Sequence, residues 1–85
     1  MRIVDIVPCY RITAENDMCG METYIDVGSK LQISVRRGAV FTGCIVRVDY
    51  GDFTNDGDIL VLKEDDGALC GIPINSISDI KELQE

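Results

Sequence analysis

A chain of 85 residues suffices for one small domain, and an apolar share of 46% excludes a chain too polar to fold. Fifteen acidic against eight basic side chains give a formal charge of −7, which argues against a surface that grips nucleic-acid backbone throughout. Histidine is absent, so the commonest general base and the commonest neutral metal ligand are both missing.

In chain order, Ile3, Val4, Ile6, Val7, Tyr10 and Ile12 predict a strand over residues 2–13, with Pro8 at an edge position. Residues 15–22 read as a loop, and Val27-Gly28 leads into the next strand. There Leu31, Ile33 and Val35 alternate with Lys30, Gln32, Ser34 and Arg36, the pattern of a half-buried strand. Arg36-Arg37-Gly38 reads as a turn. Residues 40–49 follow as a longer strand with Val40, Thr42, Cys44, Val46 and Val48 on one face, and Gly43 predicts a bend or bulge in its middle.

Residues 50–57 have the composition of a loop, and residues 59–63 read as an apolar strand buried on both faces. Glu64-Asp65-Asp66-Gly67 predicts a tight hairpin, because Asp-Gly suits a turn that needs positive φ, and residues 69–72 form its return strand. Ile74, Ile77 and Ile80 recur at three-residue spacing. A 3₁₀ turn feeding a last strand is expected there rather than a short helix, because Ile-Ser-Asp-Ile is β-branched and poor in helix formers.

Five or six short antiparallel strands with almost no helix predict an all-β fold closed into a small barrel, since closure removes exposed edges. The expected layout is one domain over residues 1–85, with an N-terminal strand and loop over 1–25 and the barrel core over 26–83. Residues 1–8 contain Asp5 and Pro8 and lack the apolar stretch of a secretory leader, and no run approaches the roughly 20 apolar residues of a membrane span. The expected location is the cytoplasm, with no membrane partner.

Cys9, Cys19, Cys44 and Cys70 are widely and evenly spaced, with no Cys-x-x-Cys pair and no His to complete a mixed site. Neither a structural metal nor a cofactor is expected from that spacing. Cys44 and Cys70 lie in apolar runs and are expected as buried, inert thiols, whereas Cys9 and Cys19 are expected at the surface.

Gly38, Gly43 and Asp49 stand five and six residues apart, between strands of fitting length. On these residues the stretch 30–83 resembles the small barrels of the SH3-like and Sm-like superfolds. The first Sm-like motif has a turn glycine, a second glycine five residues on, and an aspartate six residues after that. The Asp-Gly hairpin and the Ile-rich end match the last strands of that family in outline. The resemblance implies a barrel with an N-terminal extension, and an RNA site built from an Asp, a nearby aromatic and an Asn in the following loop. Asp49 and Tyr50 stand in the first two places, while Asn55 falls several residues late. The family's second motif brings a cation before the final strand, and Gly71-Ile72-Pro73-Ile74-Asn75 carries none.

Arg36, Arg37 and Arg47 form the main basic group. With Asp49 and Tyr50 they make a candidate site for RNA or a small nucleotide, through guanidinium forks and stacking. The plainer alternative pairs these arginines with local acids such as Asp49 and Asp52. Oxygen-bearing residues from Asp52 to Asp58, with Gly57 in sixth place, invite comparison with a calcium loop. Thr54 in third place and Lys63 in twelfth, where a bidentate Glu belongs, favour a solvated acidic loop instead. Asp52, Asp56, Asp58, Asp65 and Asp66 form the second candidate surface, two acidic loops that would present charge to a basic protein and could mimic nucleic acid.

No Gly-rich phosphate loop and no nucleophile elbow is present, so no enzyme is expected. A domain this short is marginal alone. The function expected is therefore a non-enzymatic binding or assembly module, an acidic β-barrel acting through protein–protein interaction as a homo-oligomer. The Sm-like binder and the calcium loop are the alternatives. The apolar segment 3–12 exceeds what a five-stranded barrel requires; it caps the barrel, lies across a partner subunit, or adds a sixth strand.

Overall fold

The computed structural model describes residues 1–15, 19–51 and 57–83. Among them run β1 (Cys9–Glu15), β2 (Gly20–Asp26), β3 (Leu31–Val35), β4 (Val40–Asp49), β5 (Ile59–Glu64), β6 (Leu69–Pro73) and β7 (Ile77–Glu82). The 3₁₀ turn Ile74–Ser76 links the last two, as its β-branched sequence predicts. All pairings are antiparallel. Strands β3 to β6 form a meander and β7 returns to β3, giving the order β6-β5-β4-β3-β7, while β1 and β2 pair only with each other.

Two of the predicted turns form as their glycines require. Gly38 has φ 96° and closes the β3–β4 turn, its N–H donating to the Val35 carbonyl at 2.9 Å. Gly67 has φ 90° and does the same at the β5–β6 hairpin, where its N–H donates to the Glu64 carbonyl. Both positions lie in the left-handed region that a Cβ disfavours.

The core consists of Ile25, Leu31, Ile33, Ile45, Leu60, Leu62 and Ile72. Strand β5 supplies two of these and also buries Val61, which lies between Arg47 and Gly71 in the register. Its predicted burial on both faces therefore holds.

Strand β4 corrects the predicted face. Its register shifts between Ile45 and Arg47, so Val46 is an extra residue and the alternation inverts there. Phe41, Gly43 and Ile45 turn inward before the shift and Val48 after it, while Val40 and Val46 are exposed. Gly43 is not the bulge. A Cβ at Gly43 would strike the Lys63 carbonyl oxygen, so its role is to let β4 and β5 approach closely.

The sheets stay open, which overturns the barrel and with it the SH3-like and Sm-like assignment. Strands β6 and β7 are the two edges of the five-stranded sheet, and no ladder joins them. Closure needs strand number, tilt and stagger to agree around the whole ring. Here the core face is covered instead by a second layer, the β1–β2 hairpin, which inserts Ile25 and packs Tyr10 and Ile12 against the same cluster.

That hairpin departs from the predicted N-terminus. β1 begins at Cys9 rather than residue 2, residues 1–8 carry no strand, and β2 occupies part of the predicted loop. The register Tyr10↔Ile25, Ile12↔Thr23 and Ala14↔Met21 puts these six residues on the core side. The Val27 N–H donates to the Pro8 carbonyl at 2.9 Å, continuing the hairpin's own ladder past Cys9 and Asp26. The Tyr10 hydroxyl donates to the Val46 carbonyl at 3.4 Å and ties the hairpin to β4. Val46 is the bulge residue, so Tyr10 reaches the place where the β4–β5 ladder is interrupted. No helix among the described residues is long and apolar enough to cross a membrane.

Candidate functional site

The predicted basic group comes apart in three dimensions. Arg36 and Arg37 sit in the β3–β4 turn, whereas Arg47 lies near the far end of β4, seven residues past Val40 and roughly 20 Å along the strand. Residues two apart on a strand share a face, and the Arg47 Nε donates to the Asp49 Oδ1 at 2.9 Å. Asp49 is thus held by its own arginine. Tyr50 is exposed at the end of β4, and the aromatic beside Arg36 and Arg37 is Phe41 instead. The Sm-like nucleotide site does not assemble, because β4 separates its cations.

Of the acidic surface, Asp52 and Asp56 lie outside the described residues, as do Phe53, Thr54 and Asn55. The other acids have partners within this chain. The Asp58 carboxylate accepts from the Gly51 N–H at 3.3 Å, and its carbonyl accepts from the Ile74 N–H at 3.0 Å. Asp66 accepts from the Ala68 N–H at 2.9 Å inside the β5–β6 hairpin, and Asp65 pairs with Lys30 at 2.9 Å. Among the described residues no three His, Cys, Asp or Glu side chains converge as a metal would require. The charge-presenting barrel is corrected by the open sheets, while the calcium-loop comparison falls mainly on residues 52–56, which lie outside the described residues.

Cys9 and Cys19 are exposed, as expected. Cys44 and Cys70 are half-buried rather than buried: Cys44 lies between the inward Gly43 and Ile45, on the other face of β4, and Cys70 lies on the edge strand β6. The Cys44 Sγ donates to the Gly28 carbonyl at 3.3 Å. Burial pushes the Cys70 thiol above its ordinary value, and the Glu64 carboxylate adds to the effect.

Two clefts open where a barrel would have closed. One, of about 530 Å³, lies between the β3–β4 turn and the end of β6, and is lined by Arg36, Arg37, Phe41, Pro73, Asn75 and Ser76. The other, of about 500 Å³, runs between residues 12–15 of β1 and residues 77–80 of β7, with Arg36 also on its wall. The second was not legible in the sequence, since it exists only through the placement of β2 and the failure of β7 to meet β1.

Apart from both clefts, the chain carries an exposed apolar segment. Ile3, Val4, Ile6 and Val7 are 69%, 81%, 82% and 49% exposed, within a stretch that carries no secondary structure. Isolated exposed apolar side chains are ordinary, but four within five residues form a patch that asks for a partner. A scan against protein-family models found no match to this chain, and searches of the curated proteins and of the solved structures found none either.

Proposed function

We propose that the protein is a self-associating β-domain that joins copies of itself by strand addition through residues 1–7. The observation that supports this is the exposed run Ile3, Val4, Ile6 and Val7 next to sheets whose edges are unpaired among the described residues. A β-branched segment with no strand of its own complements an edge with no neighbour.

The magnitudes favour a reciprocal arrangement. Burying four such side chains is worth about 6–12 kcal/mol on the transfer scale. Association costs about 4–15 kcal/mol, so one arm alone sits near balance. Two arms exchanged about a two-fold axis double the gain for one association cost, and the backbone ladder adds to it. The reading involves no chemical step, and its expected setting is the cytoplasm.

Sedimentation velocity over a wide concentration range tests it. The full chain should sediment as a dimer or larger species, and the double variant Val4→Asp, Ile6→Asp should sediment as a monomer with an unchanged far-ultraviolet circular dichroism spectrum. A full chain that stays monomeric throughout defeats the proposal.

A further inference from the structure

We propose that the cleft between β1 and β7 is the acceptor in this self-association, and that it takes residues 1–7 of a second copy as an added strand, with Asp5 set against Arg36. This rests on the reading above and names its site.

The lining shows that the cleft runs along strand edges. Four consecutive residues of β1, 12–15, and four of β7, 77–80, border it. Successive residues of a strand point to opposite faces, so a cavity touched by consecutive residues meets the strand from the side. By contrast, β2 contributes only alternate residues, Met21, Thr23 and Ile25, which are its core face. Each of β1 and β7 has one partner, and no backbone hydrogen bond joins the two among the described residues. A strand laid between them would pair on both sides and unite the two-stranded and five-stranded sheets.

Size and chemistry select the occupant. One strand residue takes roughly 160 Å³, from strand spacing, rise and sheet thickness. The cleft of about 500 Å³ therefore encloses about three residues, Val4, Asp5 and Ile6, with the rest of the segment extending past it along the strand edges. Ile12, Ile77 and Ile80 provide apolar walls for Val4 and Ile6. Arg36 is the one cation on the lining and Glu15 and Asp79 are its acids. Asp5 is the one acidic and Arg2 the one basic side chain of residues 1–7, so the two side-chain charge patterns are complementary. The Arg36 guanidinium makes no ion pair with a described residue.

The donor is a second copy because of how the segment leaves its own hairpin. The Pro8 carbonyl is held by the Val27 N–H, and residues 1–7 depart from the Cys9 end of β1. The cleft flanks the Glu15 end, the opposite end of β1 from the one at which residues 1–7 leave it, and none of residues 1–7 lines it.

Photo-crosslinking of a ¹⁴N/¹⁵N mixture, with Val4 replaced by a photoreactive phenylalanine derivative, tests the assignment. Mixed-label crosslinks from position 4 to residues 12–15 or 77–80 are expected. Asp5→Arg and Arg36→Asp should each weaken self-association about tenfold, and the two together should restore it. Both side chains are exposed, and unchanged melting of each variant shows that the fold is intact. Mixed-label crosslinks that land elsewhere in an intact oligomer overturn the cleft while leaving self-association standing. Same-label crosslinks into the cleft overturn the second copy as donor. Absence of any oligomer overturns both.

Discussion

The five-stranded sheet and the β1–β2 hairpin have similar apolar content, yet they are held in very different ways. β5 buries Leu60, Val61 and Leu62 in succession, whereas the two seven-residue strands of the hairpin bury only Ile25. The sheet has neighbours on both sides of its central strands and a shared core beneath them. The hairpin is a two-stranded ribbon, marginal on its own, and it packs on the sheet through Ile25, Tyr10 and Ile12, with the Tyr10 hydroxyl bonded to β4. Loose attachment is also what leaves the cleft: past Ile12 the hairpin overhangs the core, with Ala14 and Met21 exposed.

The contrast can be broken by deleting one core side chain from each region. Leu62 is fully buried in β5, so Leu62→Ala should cost about 2–5 kcal/mol and lower the urea midpoint of the whole domain. Ile25→Ala should cost less globally. Its mark is local opening, with hydrogen exchange of the β1 and β2 amides accelerated far more than that of β4 and β5. If Ile25→Ala unfolds the whole molecule as Leu62→Ala does, the two regions are a single cooperative unit and the comparison fails.

A finer probe is Tyr10→Phe, which removes the hydroxyl from the Val46 carbonyl and keeps the ring. At 3.4 Å the bond is long, so a loss of about 0.5 kcal/mol is expected, again read as faster exchange in the hairpin. The smallest effect concerns Cys70 in the sheet. Its thiol is raised by burial and by Glu64, so the unfolded chain loses this proton at lower pH than the folded one. The contribution is fully present below the ordinary value of 9.0 and is lost as pH rises through the raised one. Denaturant midpoints should therefore fall more steeply above about pH 9 than those of Cys70→Ala, and superimposable profiles would show that Cys70 is not responsible.

Much of the sheet was legible because its signals are local. Gly38 and Gly67 mark turns that need positive φ, and Leu31, Ile33 and the run 59–63 show burial through their own alternation or its absence. The face of β4 was misread because a bulge at Val46 inverts the alternation, and nothing at residue 46 announces it. β2 was missed because Gly20, Glu22 and Asp26 carry weak strand propensity, and pairing with β1 makes that stretch extended. The basic group failed for a geometric reason: Arg36 and Arg47 are close in number, but β4 is straight enough to hold them at opposite ends.

By itself the sequence determined that the chain is all-β, where the β3–β4 and β5–β6 hairpins turn, and which side chains of β3 and β5 are buried. Those properties depend on backbone conformations and hydrophobic periods that act within a few residues. Only the tertiary structure decided that the sheet stays open, that the hairpin covers it, and that β1 and β7 face each other across a cleft. Each of those depends on contacts between residues far apart in the chain, such as Tyr10 with Val46 and Ile25 with the sheet core. No local pattern encodes them, because the energy of closing or covering a sheet belongs to the assembled layers and not to any single strand.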